Sequence, residues 1–342
     1  MIQSLIVDRR RCIGGLGLLA TGLFLRPALA HPAVQRASRQ LLGTRVDLVV
    51  QGSHAGDSTV AIDAALAEMG RLERMMSRYR ADSQVSALNR AAGRNEVEVA
   101  PELMAVLKQA RQVAALSQGR FDITVGVFQG WDFTPGQTRI ASEPELARQS
   151  ALVNYRDLQL DEQKLQARLL RSDMKVDLGG IAKLPILQAG MDQLRRHGIS
   201  NAMINGGGDV LTMGQLQGQD WRVGLRDPRA PERVIGIIRL SDGVIASSGD
   251  YERAFVHNGQ RYHHVLDPRT GKPTQGVRGV AMVARSIEAV NGLGTAVMVA
   301  GNQAGRQLLE SQAGVDSLIV AADSQLWMSG RMRHRLQPAA KA

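Results

Sequence analysis

The run Pro185-Ile186-Leu187-Gln188-Ala189-Gly190-Met191-Asp192-Gln193-Leu194-Arg195-Arg196-His197-Gly198 leads within a few residues to Ala202-Met203-Ile204-Asn205-Gly206-Gly207-Gly208-Asp209. Proline at the start and glycine past the end predict a helix over Pro185–His197, and the apolar Ala202–Ile204 that follows predicts a strand running into a glycine turn. Working outward, the same alternation recurs. From Thr59 to Tyr79 the apolar positions Ile62, Leu66, Met69, Leu72 and Met76 fall three or four apart, with Asp63, Glu68, Arg71 and Arg74 between them, which is the period of an amphipathic helix. Pro101 opens another, carrying Leu103, Leu107, Ala110, Ala114 and Leu116 before Gly119. Short β-rich runs lie at Thr44–Val50, Trp221–Leu225, Val234–Leu240, Tyr262–Leu266 and Gly279–Ala284. Interleaving of this kind predicts an α+β fold, with mixed or antiparallel sheets and helices packed on them.

The 342 residues include 42 Lys+Arg, 32 Asp+Glu and one cysteine. That length excludes a small disulfide-stapled scaffold. Residues 1–30 read as an export leader: Arg9, Arg10 and Arg11, an apolar Gly/Leu/Ala stretch from Ile13 to Leu25, then Ala28-Leu29-Ala30, with the cut before His31. Consecutive arginines ahead of a glycine-rich apolar segment suit the twin-arginine route, with general secretion as the competitor, and either predicts a periplasmic protein. The remaining 31–342 form one domain of 312 residues with 38 basic and 31 acidic side chains, a charge of +7. This charge is spread along the chain and the 12 aromatics make no interleaved basic stripe, so nucleic acid is not an expected partner. Cys12 leaves with the leader.

Five segments hold the chemistry-bearing residues. Asp177-Leu178-Gly179-Gly180-Ile181-Ala182-Lys183 puts a carboxylate, two glycines and a lysine at a helix mouth, where backbone amides can approach an anion; a plain strand-to-helix turn is the alternative. Asn205-Gly206-Gly207-Gly208-Asp209 has more glycine than a hairpin needs, which favours exposed amides for a pyrophosphate over a simple turn. Ala246-Ser247-Ser248-Gly249-Asp250-Tyr251-Glu252-Arg253 leads into His263-His264-Val265-Leu266-Asp267-Pro268-Arg269-Thr270-Gly271. Adjacent histidines in a strand face opposite ways, so they do not share a metal; one facing a pocket can handle protons, while a histidine bonded at a sheet edge is the structural alternative. Asn291-Gly292-Leu293-Gly294-Thr295 sets two oxygen-bearing side chains four apart, on one face if helical.

In this order the segments resemble the ApbE-type flavin transferases, the FAD:protein FMN transferase family, from about Leu42 to Val320. Leu42-Gly43-Thr44, Met76-Ser77-Arg78-Tyr79 with Asp82, Ser83 and Asn89, and Gly119-Arg120-Phe121-Asp122-Ile123-Thr124-Val125-Gly126 look like three further blocks of that family. The resemblance implies an ApbE-like fold and a transfer reaction. FAD is the substrate, a divalent metal, usually Mg2+, sits on its pyrophosphate, FMN moves to a Thr or Ser hydroxyl of an acceptor flavoprotein, and AMP leaves. It further implies flavin contacts at Leu42, Tyr79, Arg120, Phe121, Asp122, Asp177, Lys183 and Leu266, metal ligands at Gly180 (through its carbonyl), Asn291 and Thr295, and His264 as acceptor of the hydroxyl proton. Three positions depart from the family pattern: Asn291 stands for an aspartate, Leu184-Pro185 for Gly-Tyr with Gln188 for an acidic residue, and Ser247 for threonine. With the leader, these departures resemble an exported branch such as the accessory proteins of nitrous-oxide reductase maturation, whose acceptor is a membrane redox protein. An FAD-binding carrier or chaperone weakened at Asn291, and a metal-dependent FAD hydrolase, are the competing readings.

Overall fold

A computed structural model describes residues 33–52, 55–133 and 136–338; the leader and its cleavage point lie outside them. Seven helices occur among the described residues: α1 Ala55–Met76, α2 Gln84–Arg90, α3 Pro101–Leu116, α4 Glu143–Ser150, α5 Lys183–Arg196, α6 Leu293–Glu310 and α7 Gly330–Arg335. They surround an eight-stranded sheet in the spatial order Ala33–Leu41, Thr44–Gly52, Asn201–Gly206, Asp209–Met213, Gly243–Gly249, Val277–Ala284, Asp316–Ala321, Leu326–Met328. Every pairing in it is antiparallel.

Alternation explains how this sheet is buried twice. Val244, Ala246, Val280 and Met282 join one core with the stripe of α1 (Ile62, Leu66, Met69, Leu72, Met76) and the buried face of α5. Their neighbours Ile245, Ala281 and Val283 face a second core, closed by the ribbon Trp221–Asp227/Ala230–Leu240 and by Met332 of α7. Strands covered on both faces are buried at every position, as Asp209–Met213 and Asp316–Ala321 are; their interiors are mainly apolar, and the aspartate that opens each is paired, with Lys183 and Arg335. Burial of each large side chain contributes about 1.5–3 kcal/mol. Helices α1 and α5 cross where Gly190 leaves room for Met69; a Cβ there would lie 2.8 Å from its sulfur.

Helix α3 starts and ends as the sequence predicts, with Pro101 in its first turn and Gly119 beyond it in the left-handed region. Helix α5 begins at Lys183, two residues before the expected Pro185. Proline is tolerated there because the first-turn N–H groups have no intrahelical acceptor in any case. The strand expected over Tyr262–Leu266 is instead Gln260–His263, paired with Ala254–His257, and it stops at the first histidine.

Candidate active site

The glycine cluster is a tight hairpin turn, which corrects the expectation of a pyrophosphate cradle. Gly207 and Gly208 link two antiparallel strands with φ of +66° and +96°, the handedness of a type I′ turn. The Gly208 amide is spent on Asn205 Oδ1 at 3.1 Å. The excess glycine has a packing reason: a Cβ on Gly207 would lie 2.6 Å from Thr44 Oγ1, and one on Gly208 2.7 Å from Ser247 Oγ. Leu42-Gly43 forms the neighbouring hairpin turn, with Leu42 itself left-handed (φ +59°) and its N–H donating to Glu73 Oε1 at 2.6 Å.

At this end of the sheet α5 presents Lys183, whose Nζ lies 2.9 Å from Asp209 Oδ2. The other oxygen of Asp209 accepts the Ser247 N–H at 2.9 Å, and Ser247 Oγ donates to Gly208 O at 2.9 Å. The turn, the strand Gly243–Gly249 and the start of α5 are thus tied through one nearly buried carboxylate. Upstream, Asp177 accepts from Arg78 Nη1 at 2.7 Å and from the Gly179 amide at 2.8 Å, while Asn89 brackets the Val176 peptide with two hydrogen bonds. Tyr79 is 78% exposed with the Arg78 guanidinium 5.1 Å from its ring centre, leaving an aromatic face open to solvent beside the glycine loop.

His264 follows the short hairpin. Its N–H donates to Arg253 O at 3.1 Å, and its Nδ1 is buried without a hydrogen-bond partner among the described residues. Burial, reinforced by the charges of Arg253, His263 and Lys183, pushes the imidazole down to about 4, so it is neutral at pH 7. His263 is the structural one of the pair: buried, with Nε2 2.8 Å from Thr274 O. Leu266 packs with Val127, Phe128 and Trp131 in a small separate cluster.

The remaining expected contacts divide. Phe121 is buried against Gly180 and Gly292. Asp122 is buried beside it with both oxygens used inside the chain, one by the Thr124 N–H and hydroxyl and the other by the Tyr155 N–H; burial raises its pKa. Its carboxylate therefore faces chain groups, and Arg120 bonds along its own loop to Ser117 O and Gln118 Oε1.

Gly180 and Thr295 adjoin: a Cβ on Gly180 would lie 3.3 Å from Thr295 Oγ1. Asn291, 2% exposed, donates from Nδ2 to Gln109 Oε1 at 2.7 Å and to Ile181 O at 2.9 Å. Those bonds orient the amide, a role an ionised aspartate cannot fill because it has no donor. The donor set is a carbonyl, an amide oxygen and a hydroxyl, all hard and all neutral. Among the described residues no group of three or more His, Cys, Asp or Glu side chains is placed to hold a metal ion. Such a set suits Mg2+ where anionic phosphate oxygens complete the shell.

Sequence reasoning quoted Asp209, Arg78 and Arg253 within motifs without assigning them to the site, and it missed Gln109. Asp209 closes the glycine cluster and was open to detection as the only carboxylate there. Gln109 lies 182 residues from Asn291 and leaves no local trace.

Comparison with known proteins identifies the family and the fold. The ApbE family pattern matches residues 42–319, and the chain belongs to that family. It is 31% identical over 312 residues to the FAD:protein FMN transferase of Vibrio cholerae, covering 88% of this chain and 92% of that one. The crystal structure of the ApbE protein from Thermotoga maritima superposes with a TM-score of 0.82 at 31% identity, over 89% of this chain and 100% of that one. The flavin transferase ApbE of Vibrio cholerae superposes at 0.76 with 26% identity, over the same shares.

Proposed function

We propose that this protein is an FAD:protein FMN transferase that moves FMN from FAD to a Thr or Ser hydroxyl of an acceptor flavoprotein and releases AMP. The observation that carries this reading is His264, a neutral imidazole whose buried Nδ1 has no hydrogen-bond partner among the described residues, set beside Lys183 and Arg253 in a family whose curated relatives bear that name. The acceptor hydroxyl oxygen forms a bond to the FMN phosphorus, the bridging P–O bond breaks, and AMP departs with the bridging oxygen. His264 takes the hydroxyl proton. Lys183, held by Asp209, offsets charge on the phosphate oxygens, and the exposed Tyr79 ring offers a surface for the flavin. Mg2+ would be held by the Gly180 carbonyl, Asn291 Oδ1 and Thr295 Oγ1, where it would neutralise the pyrophosphate. Because these ligands carry no charge, the phosphates must supply it. Arg9–Arg11 and the apolar stretch after them support export to the periplasm by the twin-arginine route, and an exported or membrane-anchored redox acceptor.

Incubating the protein with FAD, Mg2+ and a candidate acceptor domain, then weighing the acceptor, tests the reading. A gain of one FMN unit supports transfer. Free FMN and AMP with an unmodified acceptor indicate a hydrolase, and bound, intact FAD indicates a carrier.

A further inference from the structure

The ribbon Trp221–Asp227/Ala230–Leu240 buries Val223 and Leu225 against the second core, with Trp221 also buried, so the positions between them point to solvent. On that outer face Arg222 stands directly opposite Arg239, and Arg226 opposite Val234. Like charges paired across a ladder are destabilising, and here no carboxylate offsets them: Arg239 Nε donates to the neutral Gln337 Oε1 at 3.1 Å and the Arg226 guanidinium lies 5.9 Å from the Tyr251 ring centre, but neither Arg222, Arg226 nor Arg239 has a carboxylate within ion-pair distance among the described residues. By contrast Arg229 and Arg233 on the same ribbon are each paired, with Asp227 and Glu232. The face is not purely charged, because Val234 is 44% exposed and Ile237 half-buried on it. The segment just after α7 is joined to the ribbon edge by the two hydrogen bonds between Ile237 and Gln337, and α7 itself carries the exposed Arg331 and Arg333. All the unpaired cations are arginines, whose forked donors match phosphate oxygens.

We propose that this arginine face docks on an anionic phospholipid surface. Guanidinium groups spaced across two strands each meet a separate, laterally mobile headgroup phosphate, while Val234 and Ile237 sit at the interfacial level. An acidic protein would match the charge but gives no use for exposed aliphatic residues between the arginines. The inference does not depend on the flavin chemistry, since Arg222 and Arg239 lie outside the site described above.

Co-sedimentation of the purified protein with vesicles of phosphatidylcholine alone, or mixed with phosphatidylglycerol, tests it. The protein should bind the mixed vesicles at low salt, ignore the neutral ones and be released by added salt. Arg222→Glu with Arg239→Glu should weaken binding by about tenfold or more, and Arg222→Lys with Arg239→Lys should retain most of it. An Arg94→Glu/Arg148→Glu protein, with the same change in net charge on exposed arginines elsewhere, should bind as the parent does. Equal loss in that control, equal binding to both vesicle types, or no binding to either would overturn the proposal. FAD binding by the ribbon variants, followed by calorimetry, should stay within about twofold of the parent, which separates this failure from misfolding or from failure of the flavin reading.

Discussion

Asp209 holds Lys183 with one carboxylate oxygen, at 2.9 Å, and the Ser247 backbone with the other, so a single side chain couples the mouth of α5 to a central strand of the sheet. Asp209→Ala removes both bonds from a largely buried position and should lower unfolding stability by about 2–4 kcal/mol. Asp209→Asn keeps an acceptor for the Ser247 amide and should cost less than half as much in denaturant titration, while FMN transfer falls by about tenfold or more in both.

His264 is held neutral by burial and by neighbouring cations, with a pKa of about 4 against the ordinary 6.5. An unfolded chain protonates this ring below about pH 6.5 and the folded one does not. Its contribution to stability is therefore complete above that value and is lost as pH falls toward 4. The transfer rate should accordingly show no histidine limb between pH 5 and 8 and an acid limb near 4. His264→Gln should reduce transfer by about a hundredfold or more and flatten the acid dependence of melting. A limb near 6.5 in the parent would show that the ring is solvated.

Asn291 serves as a donor to Gln109 and Ile181 before it serves any cation. Asn291→Asp should lower stability by about 1–3 kcal/mol without divalent ions, since two buried acceptors lose their donor. Added Mg2+ should recover part of the loss, read as a rise in melting temperature in the absence of FAD. The parent should show no such rise without FAD, because its three candidate ligands are neutral. Equal Mg2+ stabilisation of both proteins would remove Asn291 from the ligand set.

Gly207 combines a left-handed backbone with contact against Thr44. Gly207→Ala should destabilise by about 1–3 kcal/mol. Pairing it with Thr44→Gly should relieve the steric part only, leaving about 1 kcal/mol of backbone strain in thermal unfolding.

The sequence made the helical scaffold legible where its period was long and its ends were marked. Helix α3 has a proline and a glycine as punctuation, and the stripe of α1 is buried at each named position. The start of α5 escaped because nothing local distinguishes Ala182 from the loop before it, and Pro185 falsely looked like the boundary. The glycine cluster misled for a related reason. Its glycines are required by Thr44, Leu187 and Ser247, side chains brought there only by tertiary packing. The motifs located the end of the fold at which Lys183, His264 and Thr295 gather, and the family resemblance named them. The partners that set their state, Asp209, Arg253 and Gln109, became visible only in three dimensions.

With a protein layer against each side, the middle strands of the large sheet leave no flank, among the described residues, on which to seat a small molecule. Reactive side chains are confined to the connections that emerge from its rim and the helix starts that meet them. Evolutionary or engineered change is thereby partitioned: exchanges among layer-forming residues reset how firmly the body holds together, whereas rewriting one connection redirects the chemistry and leaves the body intact.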